Sequence, residues 1–258
     1  MEIMILGSGT CVPYLKRSSS CIAVKIKDFL LLLDSGPGSI RRLLEAKLDY
    51  KKIDYLFYSH FHPDHTADLI PLLFAIKNTP DYTREKDLIL TGPRGFKKLF
   101  DTLSSIYGKW IVSPEYTILL KEVSISKKSE LFFDGFTVTS SPVLHSENST
   151  AFRIESENKE GGTSSIVFSG DTDYCESLIE LSRGTDILIL ECSFPDEKKV
   201  EGHLTPSLAG KIARESGCKK LVLAHLYPVC DCFDILSDCQ QEYEGEIVVA
   251  EDLMRFVL

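Results

Sequence analysis

The 258-residue chain is 43% hydrophobic and 26% charged, the balance of an ordinary soluble protein, and no apolar run approaches the roughly 20 residues that span a bilayer. Its net charge of −9 argues against a surface that coats nucleic acid, since phosphate contacts need clustered Lys and Arg, and the basic pairs Arg41-Arg42, Lys51-Lys52, Lys97-Lys98, Lys127-Lys128 and Lys219-Lys220 lie far apart in sequence. The eight cysteines lack paired Cys-x-x-Cys spacing, with Cys230-Asp231-Cys232 the one close pair, and read as reduced thiols acting as small hydrophobes.

In chain order, Ile3-Met4-Ile5-Leu6 opens directly as a strand with no basic leader or small-residue cleavage site, which predicts an intracellular, cytoplasmic protein. Strands are expected over 2–6, 20–26 and 29–34, a helix over 39–48, and a strand over 54–58. A helix over 64–77 follows, then a strand over 87–90, a turn at Thr91-Gly92-Pro93 and a helix over 94–107. Strands resume over 116–123, 131–133, 136–140, 151–155 and 165–169, with Asp134-Gly135 as a hairpin turn. The polar stretch 156–162 is the most loop-like segment and is too short for an interdomain linker. The last third alternates helices over 176–181, 206–215 and 235–242 with strands over 187–190, 221–224 and 247–249. This is the pattern of two sheets packed face to face with helices outside, in a single domain over 1–258.

The chemistry concentrates at one turn. His60-Phe61-His62-Pro63-Asp64-His65 holds half of the six histidines of the chain, at the point where a short strand gives way to a helix. Imidazole and carboxylate at that density suit a borderline divalent metal, and two ions if further ligands join. His145 and His225 each end a predicted strand, and Ser169-Gly170-Asp171 ends another in a tight turn, so three separate strand ends carry further ligand types.

These residues resemble the metallo-β-lactamase-fold hydrolases, whose signature is His-x-His-x-Asp-His followed by a later His, a later Asp and a last His. The resemblance covers nearly the whole chain and implies an α/β fold of the αββα sandwich type, two packed mixed β-sheets flanked by helices. It implies a dinuclear centre in which His60, His62 and His145 bind one ion, Asp64, His65 and His225 bind the second, Asp171 bridges them, and a hydroxide sits between. With no thiolate ligand the donor set favours zinc, and manganese or iron also suit it.

Within that superfamily the chain resembles ribonuclease Z, the tRNA 3′-processing branch. Glu201-Gly202-His203-Leu204-Thr205 is similar to the context of a non-ligand histidine there, and Leu190-Glu191-Cys192-Ser193-Phe194 to a strand-end motif bearing a Glu. The resemblance implies that Glu191 orients His203 and that His203 assists departure of the leaving oxygen, with Asp64 relaying a proton as well as holding metal. Leu6-Gly7-Ser8-Gly9-Thr10, Leu33-Asp34-Ser35-Gly36 and Thr91-Gly92-Pro93 resemble further landmarks of the branch, although each also reads as turn chemistry. Only residues 146–170 fill the interval in which the longer relatives carry a tRNA-clamping arm, which points to a short form. The expected activity is hydrolysis of a phosphodiester, either an RNA 3′ end such as tRNA or a small cyclic phosphate. A thioesterase or lactonase on the same centre is the alternative, and a homodimer is expected by family analogy.

Overall fold

The computed structural model describes residues 1–158 and 160–258. β1 (Glu2–Gly7), β2 (Cys21–Ile26) and β3 (Phe29–Leu33) form an antiparallel meander. β4 (Ile53–Phe57), β5 (Leu88–Pro93) and β6 (Ile118–Val123) then add in parallel. Their crossovers carry helices α1 (Ser39–Glu45), α2 (Pro63–Thr66), α3 (Leu69–Asn78) and α4 (Phe96–Tyr107).

The second sheet repeats the scheme. β7 (Ser129–Phe133), β8 (Phe136–Pro142), β9 (Thr150–Glu157) and β10 (Thr163–Phe168) are antiparallel, and β11 (Ile187–Glu191), β12 (Lys220–Ala224) and β13 (Glu246–Val249) continue in parallel. Helices α5 (Glu176–Leu181), α6 (Pro206–Ser216) and α7 (Ile235–Gln240) link the parallel strands, and β14 (Arg255–Val257) returns to pair with β1. The strand orders are β14-β1-β2-β3-β4-β5-β6 and β13-β12-β11-β10-β9-β8-β7.

Strands buried on both faces read as continuous apolar runs. Leu31 and Leu33 of β3 face the layer between the sheets while Leu30 and Leu32 face the helices. In β11, Ile187 and Ile189 face the shared layer, and Leu188 and Leu190 pack under α5 and α6. The expected αββα sandwich is therefore the observed one, and on the strength of the shared layer we read the chain as one domain. Among the described residues no helix is long and apolar enough to cross a membrane.

Three local expectations need correction. The predicted helix over 64–77 is two helices, because the loop after β3 takes the backbone groups a continuous helix would use. Ser35 N donates to His65 O at 2.7 Å, and Asp68 N donates to Ser35 O at 3.0 Å. Thr91-Gly92-Pro93 is not a turn but the end of β5. Pairing with β4 stops at Thr91 while pairing with β6 runs on to Pro93, so the missing proline N–H falls where no strand needs it. β14 is unpredicted, since three residues carry no readable alternation. Of the predicted loop 156–162, Ser156 and Glu157 belong to β9, and Lys159 lies outside the described residues.

Candidate metal centre

The parallel strands of both sheets end on the same side of the sandwich, where an open α/β sheet mounts its ligands. Beyond β3 comes Asp34, beyond β4 Ser59 and His60, beyond β10 Asp171, at the end of β11 Glu191, and beyond β12 His225. His62, Asp64 and His65 lie on the α2 turn, which Pro63 starts at a position where its missing N–H costs nothing. The turn lies hard against the loop after β3, where a Cβ on Gly36 would stand 2.0 Å from Asp64 O. Asp34 and His225 both adopt left-handed backbone, with φ of 59° and 53°, conformations worth about 1–3 kcal/mol of strain each, as collects at functional sites. Gly170 supplies a third such bend at φ 58°, and a Cβ there would meet Ser59 Cβ at 2.4 Å.

All seven residues expected as ligands come together. Asp171 is 3% exposed and central. Its Oδ2 lies 3.7 Å from His60 Nε2 and from His145 Nε2, and its Oδ1 lies 3.2 Å from His65 Nε2 and 3.4 Å from His225 Nε2. His62 Nδ1 is 3.1 Å from His145 Nε2, and Asp64 Oδ2 is 3.4 Å from His225 Nε2. Two groups carry the expected ligands, His60, His62, His145 and Asp171 in one and Asp64, His65 and His225 in the other, and a third set, Asp171, His203 and His225, also brings its donor atoms within 4.8 Å of one another. Ligands at about 2.0–2.1 Å around a tetrahedral zinc ion would stand about 3.3–3.4 Å apart, which the observed spacings bracket.

The hydrogen bonds behind the imidazoles fix their tautomers. Ser59 Oγ donates to Asp34 Oδ2 at 2.8 Å, so it accepts from His60 Nδ1 at 3.0 Å. His65 Nδ1 meets Asp34 Oδ2 at 2.6 Å, and His145 Nδ1 meets Gly202 O at 2.8 Å. Ser193 Oγ donates to Glu191 Oε2 at 2.5 Å and so accepts from His225 Nδ1 at 3.0 Å. Each Nδ1–H points outward, which turns four Nε2 lone pairs inward on one another. His65 Nε2 and His225 Nε2 stand only 3.2 Å apart, and the buried atoms His60 Nε2 and Asp171 Oδ1 have no hydrogen-bond partner. Converging lone pairs and orphaned acceptors fit a cation.

The electrostatics agree. Burial, reinforced by His65, holds the His60 pKa well below the usual histidine range. Burial also opposes a charge on His65, but the Asp171 and Asp34 carboxylates outweigh it and raise that pKa well above normal. Burial alone would likewise raise Asp171, yet His225 and His65 keep it well below the ordinary carboxylate range. The carboxylates thus call for positive charge at this spot, from a proton or from a cation.

His203 lies beside the cluster, its ring centroid 4.8 Å from that of His145. Its Nδ1 is 3.0 Å from Glu191 Oε1, the pairing expected from sequence. Burial works against its charge, but the Glu191 carboxylate prevails and raises its pKa. Asp34, Ser59 and Ser193 escaped the sequence reading as parts of the site. The available signals were a carboxylate closing the all-apolar run Phe29-Leu30-Leu31-Leu32-Leu33 and hydroxyls flanking His60 and Glu191.

Comparison with known proteins shows the family and the fold. Residues 30–226 match the family model described as the Beta-lactamase superfamily domain. Ribonuclease Z of Methanosarcina mazei is 26% identical over 304 residues, covering 98% of this chain and 97% of that one. The probable metallo-hydrolase YhfI of Bacillus subtilis is 27% identical over 257 residues, 97% of each chain. The crystal structure of YhfI superposes with a TM-score of 0.81 at 25% identity, covering 99% of this chain and 98% of that one. Human tRNase Z, short form, superposes at 0.80 with 22% identity, covering 100% and 99%.

Proposed function

The chain belongs to the beta-lactamase superfamily, and from that premise we propose that it is a dinuclear metal-dependent phosphodiesterase resembling the short form of ribonuclease Z. Its membership and its ribonuclease Z and metallo-hydrolase relatives make it a metal-dependent hydrolase. The observation that carries the phosphodiester reading is the Glu191–His203 pair beside the ligand cluster. The leaving group of a phosphodiester is an alkoxide that benefits from a proton, whereas the thiolate that leaves a thioester on the same centre has less need of a separate acid. Two divalent ions, zinc by the donor set, would supply a hydroxide nucleophile at neutral pH and neutralise charge on the phosphate oxygens.

The residues divide the work. His60, His62 and His145 would hold one ion, Asp64, His65 and His225 would hold the other, and Asp171 would serve both. Glu191 fixes His203 Nδ1, leaving Nε2 as the atom that delivers a proton to the leaving oxygen. Asp64 lies within the ligand group yet keeps its side chain 15% exposed, which suits it to a proton relay.

A small or cyclic phosphodiester suits the chain better than full-length tRNA. The alignment with the Methanosarcina ribonuclease Z is longer than this 258-residue chain, so that relative carries segments missing here. The alignment with YhfI is not. In the interval before Asp171, β9 ends at Glu157 and β10 begins at Thr163, too few residues for an arm, and the net charge is −9. Metal-reconstituted protein is expected to cleave a cyclic nucleotide and a generic phosphodiester with higher kcat/KM than precursor tRNA, and to leave a thioester intact. Turnover of the thioester or a lactone without any phosphodiester would transfer the chain to the acyl-hydrolase class.

The same proposal includes a cytoplasmic location, consistent with eight free cysteines, six of them buried, and a homodimer. A groove of about 940 Å³ between α3 and α4, lined by Ile70, Phe74, Leu103, Tyr107 and Trp110, is the apolar face on which two copies would meet. Trp110→Asp is expected to halve the mass measured by light scattering. A wild-type protein that elutes as a monomer at micromolar concentration would remove the dimer.

A further inference from the structure

Two serine hydroxyls stand behind the ligand cluster, each between an imidazole and a carboxylate, and their connections differ. Ser59 links His60 to Asp34, whose same oxygen also meets His65 Nδ1. That pair supports one imidazole from each ligand group and reaches no further.

Ser193 is fully buried. Its single proton goes to Glu191 Oε2 at 2.5 Å, it receives the Nδ1–H of His225 at 3.0 Å, and it lies 3.3 Å from His203 Nδ1. Glu191 is itself pinned, accepting from Thr172 N at 2.7 Å on Oε1 and from Leu204 N at 3.1 Å on Oε2. One carboxylate therefore holds His203 directly and His225 through Ser193.

We propose that Ser193 is a positioning residue that couples the ligand His225 to the Glu191–His203 pair, so that seating an ion in the Asp64–His65–His225 group and setting the acid are one event. The inference rests on the dinuclear reading above. Its physical content is the tautomer: donation from Nδ1 to Ser193 obliges a neutral His225 to present Nε2 as a lone pair. Without the hydroxyl, a buried N–H loses its acceptor and Glu191 loses one of the donors on Oε2. Groups that orient metal-binding imidazoles in this way are worth roughly 10- to 100-fold in metal affinity.

The test loads the protein with zinc and titrates a chelator, counting ions retained per chain. Ser193→Ala removes the oxygen without adding volume. It is expected to release one of the two ions at roughly 10- to 100-fold lower chelator concentration while the second behaves as in wild type. Ser59→Ala, behind His60, should instead weaken the ion that Ser193→Ala spares, and Ser193→Thr, which keeps the oxygen, should stay close to wild type. Equal weakening of both ions by Ser193→Ala, or retention of both as in wild type, would overturn the proposal. Ion-saturated Ser193→Ala should also lose turnover on substrates whose leaving group needs a proton. If the wild-type protein cleaves no phosphodiester, the functional reading fails while ion retention still judges Ser193.

Discussion

Asp171→Ala is expected to lower turnover by roughly 10³-fold or more and to reduce the bound metal from two ions per chain to one or none. The size follows from what two ions contribute, several kcal/mol of stabilisation of the charge that builds in the transition state, at 1.36 kcal/mol for each factor of ten. The special position of Asp171 follows from its two oxygens. Oδ2 faces His60 and His145 while Oδ1 faces His65 and His225, so no other residue in the cluster touches both ligand groups in this way. Its removal leaves converging imidazoles with Asp64 as the sole carboxylate within the two groups. Asp64→Ala is the comparison, because Asp64 approaches only His65 and His225 and should loosen one ion. Metal content by elemental analysis, set beside kcat on a generic phosphodiester, checks both variants. An Asp171→Ala protein that keeps two ions and near-normal turnover would show that the bridging placement is wrong.

His203→Ala is expected to lower kcat by roughly 10²–10⁴-fold, the usual worth of a positioned general acid, with both ions still bound. The loss should depend on the leaving group. A p-nitrophenyl ester departs without needing a proton, so the defect should largely vanish there and be full for an alkyl or ribose leaving group. The contrast separates an acid from a residue that only shapes the site, which would slow both substrates alike. Equal losses on the two substrates, or a loss of metal, would reassign His203 to binding or structure.

The strongest parts of the site were legible because they are local. His60, His62, Asp64 and His65 lie within six residues, and a strand followed by a Pro-initiated turn places them on one edge whatever the rest of the chain does. The continuous apolar runs Ile187 to Leu190 and Leu30 to Leu33 carry the layered fold, since a short all-apolar run between turn residues suits a strand buried on both faces. Glu191 and His203 are twelve residues apart and were paired through family resemblance, not through periodicity.

Elsewhere local pattern was a poor guide. The run from Asp64 to Lys77 looks like one helix, and only contact with Ser35, a residue from another crossover, divides it. β14 exists because β1 presents an open edge, and not because Arg255-Phe256-Val257 has strand character of its own.

By itself the sequence determined the candidate ligands, the sandwich class and the edge on which they sit, because residue type, spacing and the order of apolar runs are local properties. The grouping of the candidate ligands came from family resemblance, and tertiary structure alone decided which way each imidazole carries its proton and that Asp34, Ser59 and Ser193 enforce that choice. Asp34 meets His65 across 31 residues and Ser193 meets His225 across 32. A hydrogen bond of that range depends on where two separate strands end, and no window of sequence contains both.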